Sequence, residues 1–220
     1  MLEYDDLNKA AKLRALNYAE PPDDWVDCIT EHFKEEGYAL GFHLYESNWS
    51  VGRGQGDGAS WIGRVTTPVF LAAHINKVKD ADRKARYTIL LELLEHTDVV
   101  SNKVEITRRS FYYNHSGTMN AEYIDTCVLP DDIDDDVCVR GGILDGASIK
   151  ELMLAIDTYN LVEEFLTWIE EEAREYADEM YKALEREYDS YYTEEYLKDL
   201  IYINGWRFDE SGQLTTSKLT

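Results

Sequence analysis

The chain has 220 residues, of which 44% are hydrophobic and 12% aromatic, so it can build a sizeable core and is not intrinsically disordered. Its 44 acidic and 22 basic residues give a net charge of −22. This charge argues against direct binding to nucleic acid or to an anionic membrane and favours a cationic partner, with solubility or a halophilic source as the alternative interpretation.

Hydrophobic periodicity predicts an α+β fold. In chain order, the predicted helices cover residues 3–19, 23–36, 80–96, 147–192 and 193–203. The predicted strands cover residues 38–46, 59–66, 99–113 and 118–129, with a terminal hairpin at 206–208 and 213–216. We therefore expect an antiparallel sheet of about four strands, packed by the N-terminal and long C-terminal helices, and a small C-terminal hairpin.

Two of these helices raise questions about their ends. Gly37 has the residue type that commonly ends a helix, so it is expected to end the second one. No Pro or Gly interrupts residues 147–192, which would span roughly 65 Å as one helix. We expect a break near Thr158–Asn160, or a projecting helix.

The predicted division is a body over 1–146 and a C-terminal part over 147–220, packed as one domain.

Cysteine usage and hydropathy predict the compartment. The cysteines have no metal-binding spacing and are interpreted as free, buried thiols of a reducing compartment; they are Cys28, Cys127 and Cys138. No apolar run approaches the roughly 18 residues of a membrane span, and the N-terminus does not resemble a signal peptide. We expect a cytoplasmic protein without membrane contact.

A glycine-rich loop separates the first two predicted strands, with glycine at every second position from 52 to 58. Backbone N–H groups of such a loop can hold a phosphate group. The candidate ligand-binding residues are Arg53, Gln55, Gly56, Asp57, Gly58, Arg64, Arg109 and His115. However, no G-K-[ST] motif or helix follows, and Asp57 would repel a phosphate. The alternative is a bulged hairpin in which Asp57 and Gln55 bond the turn backbone.

Catalytic and metal sites have weaker support. His115 could form a polar cluster with Tyr112, Tyr113 and Arg109 and act as a general acid, but a histidine that bonds its own turn is the simpler interpretation. The five histidines lack metal-ligand spacing with one another or with the cysteines. We predict no catalytic residue, no metal and no cofactor.

Acidic residues concentrate in the segment PDDIDDD after Leu129 and along the long helix. On the helix, several recur at i, i+3 or i+4 and share a face. The candidate partner-binding residues are Asp131, Asp132, Asp134, Asp135, Asp136, Glu164, Glu171, Glu175, Asp178 and Glu179. An ordinary solvated face is the simpler interpretation of these acids, and an array that imitates nucleic-acid phosphates is the alternative.

Three stretches resemble a family of uncharacterised bacteriophage proteins. The loop GRGQGDGASWIG matches that family's S-Q-G-D-G-A-x-F-x-G pattern, although Arg53 and Gly54 depart from its usual aromatic and Ser residues. YYNHSGTM matches its aromatic-H-x-x-x-M pattern, and YKALEREYDSYYTEE with NGWRFDESG matches its C-terminal pattern. The resemblance covers most of residues 38–215. It implies a phage origin and the host cytoplasm, and it brings no established activity.

Together these observations predict a non-enzymatic phage accessory protein, acting in host takeover or against host defence. We expect it to bind a basic surface of a host nucleic-acid-handling complex and to block it, without binding nucleic acid directly; a homo-oligomer is compatible with the sequence. The alternative is a binder of a small nucleotide signal through the glycine loop. An enzyme that uses His115 and Asp57 has the least support.

Overall fold

The computed structural model describes residues 1–52, 54, 56–96, 103–124 and 129–215 and confirms the predicted α+β class. Within these residues the helices are α1 (Lys9–Ala15), α2 (Asp27–Ala39), α3 (Thr67–His74), α4 (Ala81–His96), α5 (Ile149–Ala155), α6 (Thr158–Tyr191) and α7 (Glu194–Asn204). The strands are β1 (Phe42–Ser50), β2 (Gly58–Thr66), β3 (Lys103–Arg108), β4 (Met119–Tyr123), β5 (Arg207–Phe208) and β6 (Leu214–Thr215).

Strands β1 to β4 form an antiparallel sheet in sequence order, and β5 pairs with β6 in the predicted hairpin. One face of the sheet is apolar because alternate residues such as Trp61, Val65 and Ile106 point to the same side and are fully buried. Helix α6 covers this face, where the Trp61 indole N–H donates to the Ala173 carbonyl at 3.3 Å. The core of the sheet therefore lies under the predicted long helix.

The second helix ends later than the sequence indicates. Helix α2 continues through Gly37 to Ala39, and Gly41 follows it with φ of +88°, so the prediction that Gly37 ends the helix is wrong. A Cβ atom on Gly37 would lie 3.1 Å from Leu44 Cδ1 and 3.3 Å from Tyr176 Cε1. Gly37 thus serves close packing, and Gly41 provides the left-handed turn into β1.

The predicted break in the long C-terminal helix is confirmed. Helix α5 ends at Ala155, and Asp157 has a positive φ of 53°, which helical geometry does not allow. The Asp157 carbonyl then accepts from the backbone N–H of Asn160 and Leu161, which starts α6. Helix α6 has 34 residues and is about 50 Å long.

The chain forms two compact units, residues 30–181 and residues 1–29 with 182–220, whereas the sequence suggested a division after residue 146. The larger unit holds the four-stranded sheet. The smaller one has its own core, where Phe208 packs with Tyr4, Ala11 and Leu197. In the smaller unit, the backbones of Leu2 and Phe208 exchange two hydrogen bonds, which tie the N-terminus to the hairpin.

Two of the cysteines differ from the prediction of buried thiols. Cys28 and Cys138 are unbridged and exposed, so the prediction is wrong for both. Cys127 lies outside the described residues, as do parts of the predicted strands 99–113 and 118–129.

Candidate functional site

The loop between β1 and β2 is closed by one carboxylate. Asp57 accepts hydrogen bonds from Ser50 Oγ at 2.8 Å and from the Gly54 backbone N–H at 2.6 Å. A side chain that bonds the backbone three residues earlier fixes a tight turn without other secondary structure. Asp57 therefore has the turn-bonding role that the hairpin alternative gave it.

The loop between β3 and β4 meets the glycine loop. Asn114 Nδ2 donates to the Trp49 carbonyl at 2.9 Å, and the Asn114 backbone N–H donates to the Gly56 carbonyl at 3.4 Å. Arg108 Nη2 donates to Asn114 Oδ1 at 2.9 Å and to the Tyr113 carbonyl at 3.0 Å. Asn114 and Arg108 thus join the two loops. We call their described residues, 51, 52, 54, 56–58 and 109–118, the sheet tip.

Two glycines of the loop are required by this contact. A Cβ atom on Gly56 would lie 2.4 Å from Tyr113 Cδ1, and one on Gly58 would lie 2.5 Å from His115 Cα. Both glycines also have positive φ, of 103° and 154°. Their missing side chains make room for the second loop, so no ligand is needed to explain these two glycines.

The second loop exposes aromatic rings. The side chains of Phe111 and Tyr112 are 87% and 93% exposed, and Tyr113 is 47% exposed. Beside them, Arg109 hydrogen-bonds Asn120 Oδ1. Fully exposed rings next to a guanidinium are typical of surfaces that contact a partner or a base.

The structure brings together only part of the predicted ligand-binding set. Gly56, Asp57, Gly58 and His115 lie in the sheet tip, and Arg109 starts its second loop. Arg64 lies six residues along β2 from Gly58, roughly 20 Å away in a strand, where it pairs with His43 and Glu105. Arg53 and Gln55 lie outside the described residues.

The acidic loop, residues 131–136, uses most of its carboxylates internally. Asp131 accepts from the Tyr159 hydroxyl at 2.7 Å, which raises the pKa of Tyr159, and Asp132 accepts from the Leu129 N–H at 3.1 Å. Asp135 pairs with Lys150 at 2.8 Å, and this hydrogen bond lowers the pKa of Asp135. The side chains of Asp134 and Asp136 are exposed and have no hydrogen bond or ion pair among the described residues.

The predicted partner-binding acids of α6 also include both paired and unpaired carboxylates. Glu164 pairs with Arg83 Nε at 2.7 Å and lies 3.8 Å from Arg86 Nη2. The other four predicted acids of the helix are exposed and have no ion-pair or hydrogen-bond partner in the described part of the chain. We call them the carboxylate row: Glu171, Glu175, Asp178 and Glu179. They span about 12 Å along the helix axis.

Glu172, next to the row, is fully engaged. Its side chain is only 14% exposed and lies 2.6 Å from Lys77 Nζ and 3.4 Å from His74 Nε2. It also accepts from the Trp168 indole N–H at 3.2 Å. The Nδ1–H of His74 donates to the Phe70 carbonyl at 2.9 Å, and burial lowers the pKa of His74.

A cavity of about 410 Å³ lies beside this cluster, between the segment from Lys77 to Arg83 and one face of α6. The α6 wall consists of Trp168, Glu171, Glu172 and Glu175. Sequence reasoning missed this cavity. The spacing i, i+3, i+4, i+7 of its α6 residues marks one face of a helix, but no local signal places Lys77 and Arg83 opposite them.

In the described part of the chain, no three His, Cys, Asp or Glu side chains are grouped to hold a metal ion, and no helix is long and apolar enough to cross a bilayer. The family described as "Domain of unknown function (DUF8835)" matches residues 25–194. No curated protein and no solved structure matches the chain.

Proposed function

The chain belongs to the DUF8835 family of domains of unknown function, and we propose that it is a non-enzymatic phage accessory protein. In this proposal it binds a basic surface of a host nucleic-acid-handling complex and blocks it. The observation that supports the proposal is the carboxylate row on α6, whose four charges are exposed and unpaired among the described residues.

Repulsion between the carboxylates of the row destabilises α6, and a basic partner would offset it. Glu171 and Glu175, and Glu175 and Glu179, are like-charged pairs at i, i+4, and each such pair destabilises a helix by about 0.2–0.5 kcal/mol. A cationic surface against the row would attract each carboxylate and so offset this repulsion. An ordinary solvated face needs no such succession of like charges.

The charge spacing suits imitation of nucleic acid. Four carboxylates over about 12 Å give one charge per ~4 Å of helix axis. One strand of B-DNA carries one phosphate per ~3.4 Å of its axis. A groove that holds one nucleic-acid strand could therefore pair its lysines and arginines with the row.

The test is competition for a nucleic-acid site. The protein is added to purified bacterial restriction, interference and other nuclease complexes bound to labelled DNA or RNA, and displacement is measured. The row variant is Glu171→Gln/Glu175→Gln/Asp178→Asn/Glu179→Gln. We expect it to displace roughly 30-fold less well, from about 0.5 kcal/mol for each of four exposed charge pairs.

A control variant with the same change in net charge, Glu20→Gln/Asp23→Asn/Glu195→Gln/Asp199→Asn, alters exposed acids of the smaller unit. It should displace nucleic acid like the unchanged protein. The proposal is wrong if the unchanged protein displaces nothing from the whole panel, or if both variants lose displacement equally.

A second candidate function is binding of a small nucleotide at the sheet tip. The observation that favours it is the meeting of Gly56 and Asp57 with a loop that exposes Phe111 and Tyr112 beside Arg109. Exposed rings can stack on a base, and a guanidinium can bind its phosphate. A thermal-shift screen of nucleotides tests it, and no shift across the panel would rule it out.

A further inference from the structure

The cavity beside Trp168 lies next to the carboxylate row and could enclose part of a partner. Its volume of about 410 Å³ is within the usual range of ligand sites. One wall is the segment from Lys77 to Arg83, and the other wall is the face of α6 that carries Glu171 and Glu175. The row and the cavity therefore share these two carboxylates.

The charges inside the cavity do not balance. Lys77 is paired with Glu172 at 2.6 Å, and Arg83 is paired with Glu164 at 2.7 Å. Asp80 is also engaged, since its Oδ1 accepts from the Arg83 backbone N–H at 2.7 Å at the start of α4.

Three charged side chains of the lining remain without an ion-pair or hydrogen-bond partner in the described part of the chain: Lys79, Glu171 and Glu175. These three leave an excess of one negative charge. The excess favours a cationic occupant over an anionic one.

The shape of the site favours a long cationic side chain. Glu171 and Glu175 are one turn apart on α6, so their carboxylates can receive the two edges of one planar guanidinium. Between the walls, Val78 and Trp168 supply apolar lining on which a methylene stem can lie.

The Trp168 ring is already occupied on its faces. It stacks on Tyr87 with ring centres 5.0 Å apart, and the Arg83 guanidinium lies 6.0 Å from the Trp168 ring centre. The entering guanidinium is therefore held by the two carboxylates, and Trp168 contributes its edge.

We infer that this cavity receives an arginine side chain of the basic partner, with the guanidinium between Glu171 and Glu175. The inference rests on the proposed function and adds to it a defined anchor point. Along the row, Asp178 and Glu179 then contribute charge attraction, while the cavity selects one side chain by size and shape.

The experiment uses the full chain labelled with ¹⁵N and the ligand N-acetylarginine amide. The Trp168 indole N–H signal, assigned with Trp168→Phe, reports on the cavity. We expect a saturable shift of this signal, with the Trp25 and Trp206 signals unchanged. N-acetylcitrulline amide has the same shape without the charge. Its affinity should be lower by a factor of at least about ten, because the charge-assisted bonds are lost.

The variant Glu171→Gln/Glu175→Gln should lose the shift, and Asp178→Asn/Glu179→Gln should keep it. If the first variant does not fold, the comparison of arginine with citrulline on the unchanged protein still decides. The inference is overturned by an absent shift, by equal binding of citrulline, or by a shift that persists in a folded Glu171→Gln/Glu175→Gln variant.

This result is independent of the competition assay. If the protein displaces nucleic acid but its Trp168 signal does not respond to arginine, the arginine anchor is refuted and the proposed function stands. If the Trp168 signal responds to arginine but the protein displaces nothing, the cationic site stands and the proposed function is refuted.

Discussion

The sheet tip and the outer face of α6 both carry charged side chains, but their contacts differ. At the tip, Asp57 holds Ser50 and the Gly54 N–H, and Arg108 holds Asn114 and the Tyr113 carbonyl. On α6, the four members of the carboxylate row have no such partner in the described part of the chain. The tip uses these polar groups to build the fold, whereas the four carboxylates of the row make no such bond to the described part of the chain.

The same contrast separates two neighbouring residues of α6. Glu172 is nearly buried among His74, Lys77 and Trp168. Glu171 lines the cavity and is exposed; the charge of Arg83 attracts it, but it has no ion pair or hydrogen bond in the described part of the chain. Sequence position and residue type are almost identical. The difference arises because a helix turns by about 100° per residue, so consecutive side chains meet different surroundings.

The largest effect is expected from Gly58→Ala at the tip. The new Cβ would lie 2.5 Å from His115 Cα, and φ is already +154°, so backbone must move. We expect a loss of about 3 kcal/mol in the free energy of unfolding, measured by urea denaturation. The control Gly52→Ala, with no atom within 4 Å of its Cβ, should change it by less than about 0.5 kcal/mol. Equal effects would mean that the two loops are not in contact.

A smaller effect should separate Glu172→Gln from Glu171→Gln. Removing the Glu172 charge weakens the bonds from Lys77 and Trp168, and we expect a loss of about 1–2 kcal/mol in unfolding free energy. Glu171→Gln removes an i, i+4 repulsion and also an attraction to the Arg83 charge, so it should change stability by less than about 0.5 kcal/mol. Similar losses in both variants would contradict the division between engaged and unengaged carboxylates.

The smallest effect is expected from a change of pH, through His74, which contacts Glu172. Burial lowers the pKa of His74, so the native protein holds it neutral at a pH where the unfolded chain already protonates it. The resulting stability is complete above the unfolded pKa of about 6.5 and is lost as pH falls from there towards the folded pKa. The urea midpoint should therefore fall between pH 7.5 and pH 5.5, and less so in His74→Gln. Parallel profiles would show that His74 does not contribute.

The elements that the sequence predicted correctly have strong local signals. The α+β class, the first two strands and the break before α6 follow from periodicity, capping and turn residues. Gly37 was misassigned because close packing and helix ending favour the same residue, and the packing partner, Tyr176, lies on another helix. A local pattern does not contain that contact.

The candidate sites show the same limit. The sequence predicted a strand to Tyr113 because aromatic residues favour strands, but β3 ends at Arg108 and Phe111 is exposed. Strand propensity reflects packing against neighbouring strands, and the Phe111 ring is exposed instead. Likewise Glu164 and Glu171 looked equivalent, and only the position of Arg83 on α4 makes one an internal ion pair.

The exposed rings of the tip also make it a natural cleavage site for chymotrypsin, which cuts after Phe and Tyr. Phe111 and Tyr112 are 87% and 93% exposed. They lie in a segment between two strands, where a protease can reach the backbone. Brief digestion should cut the chain there first, into an N-terminal and a C-terminal fragment of nearly equal length. Protection of this bond in a complex would report that the partner covers the tip, and cleavage at the free rate would report that it binds elsewhere.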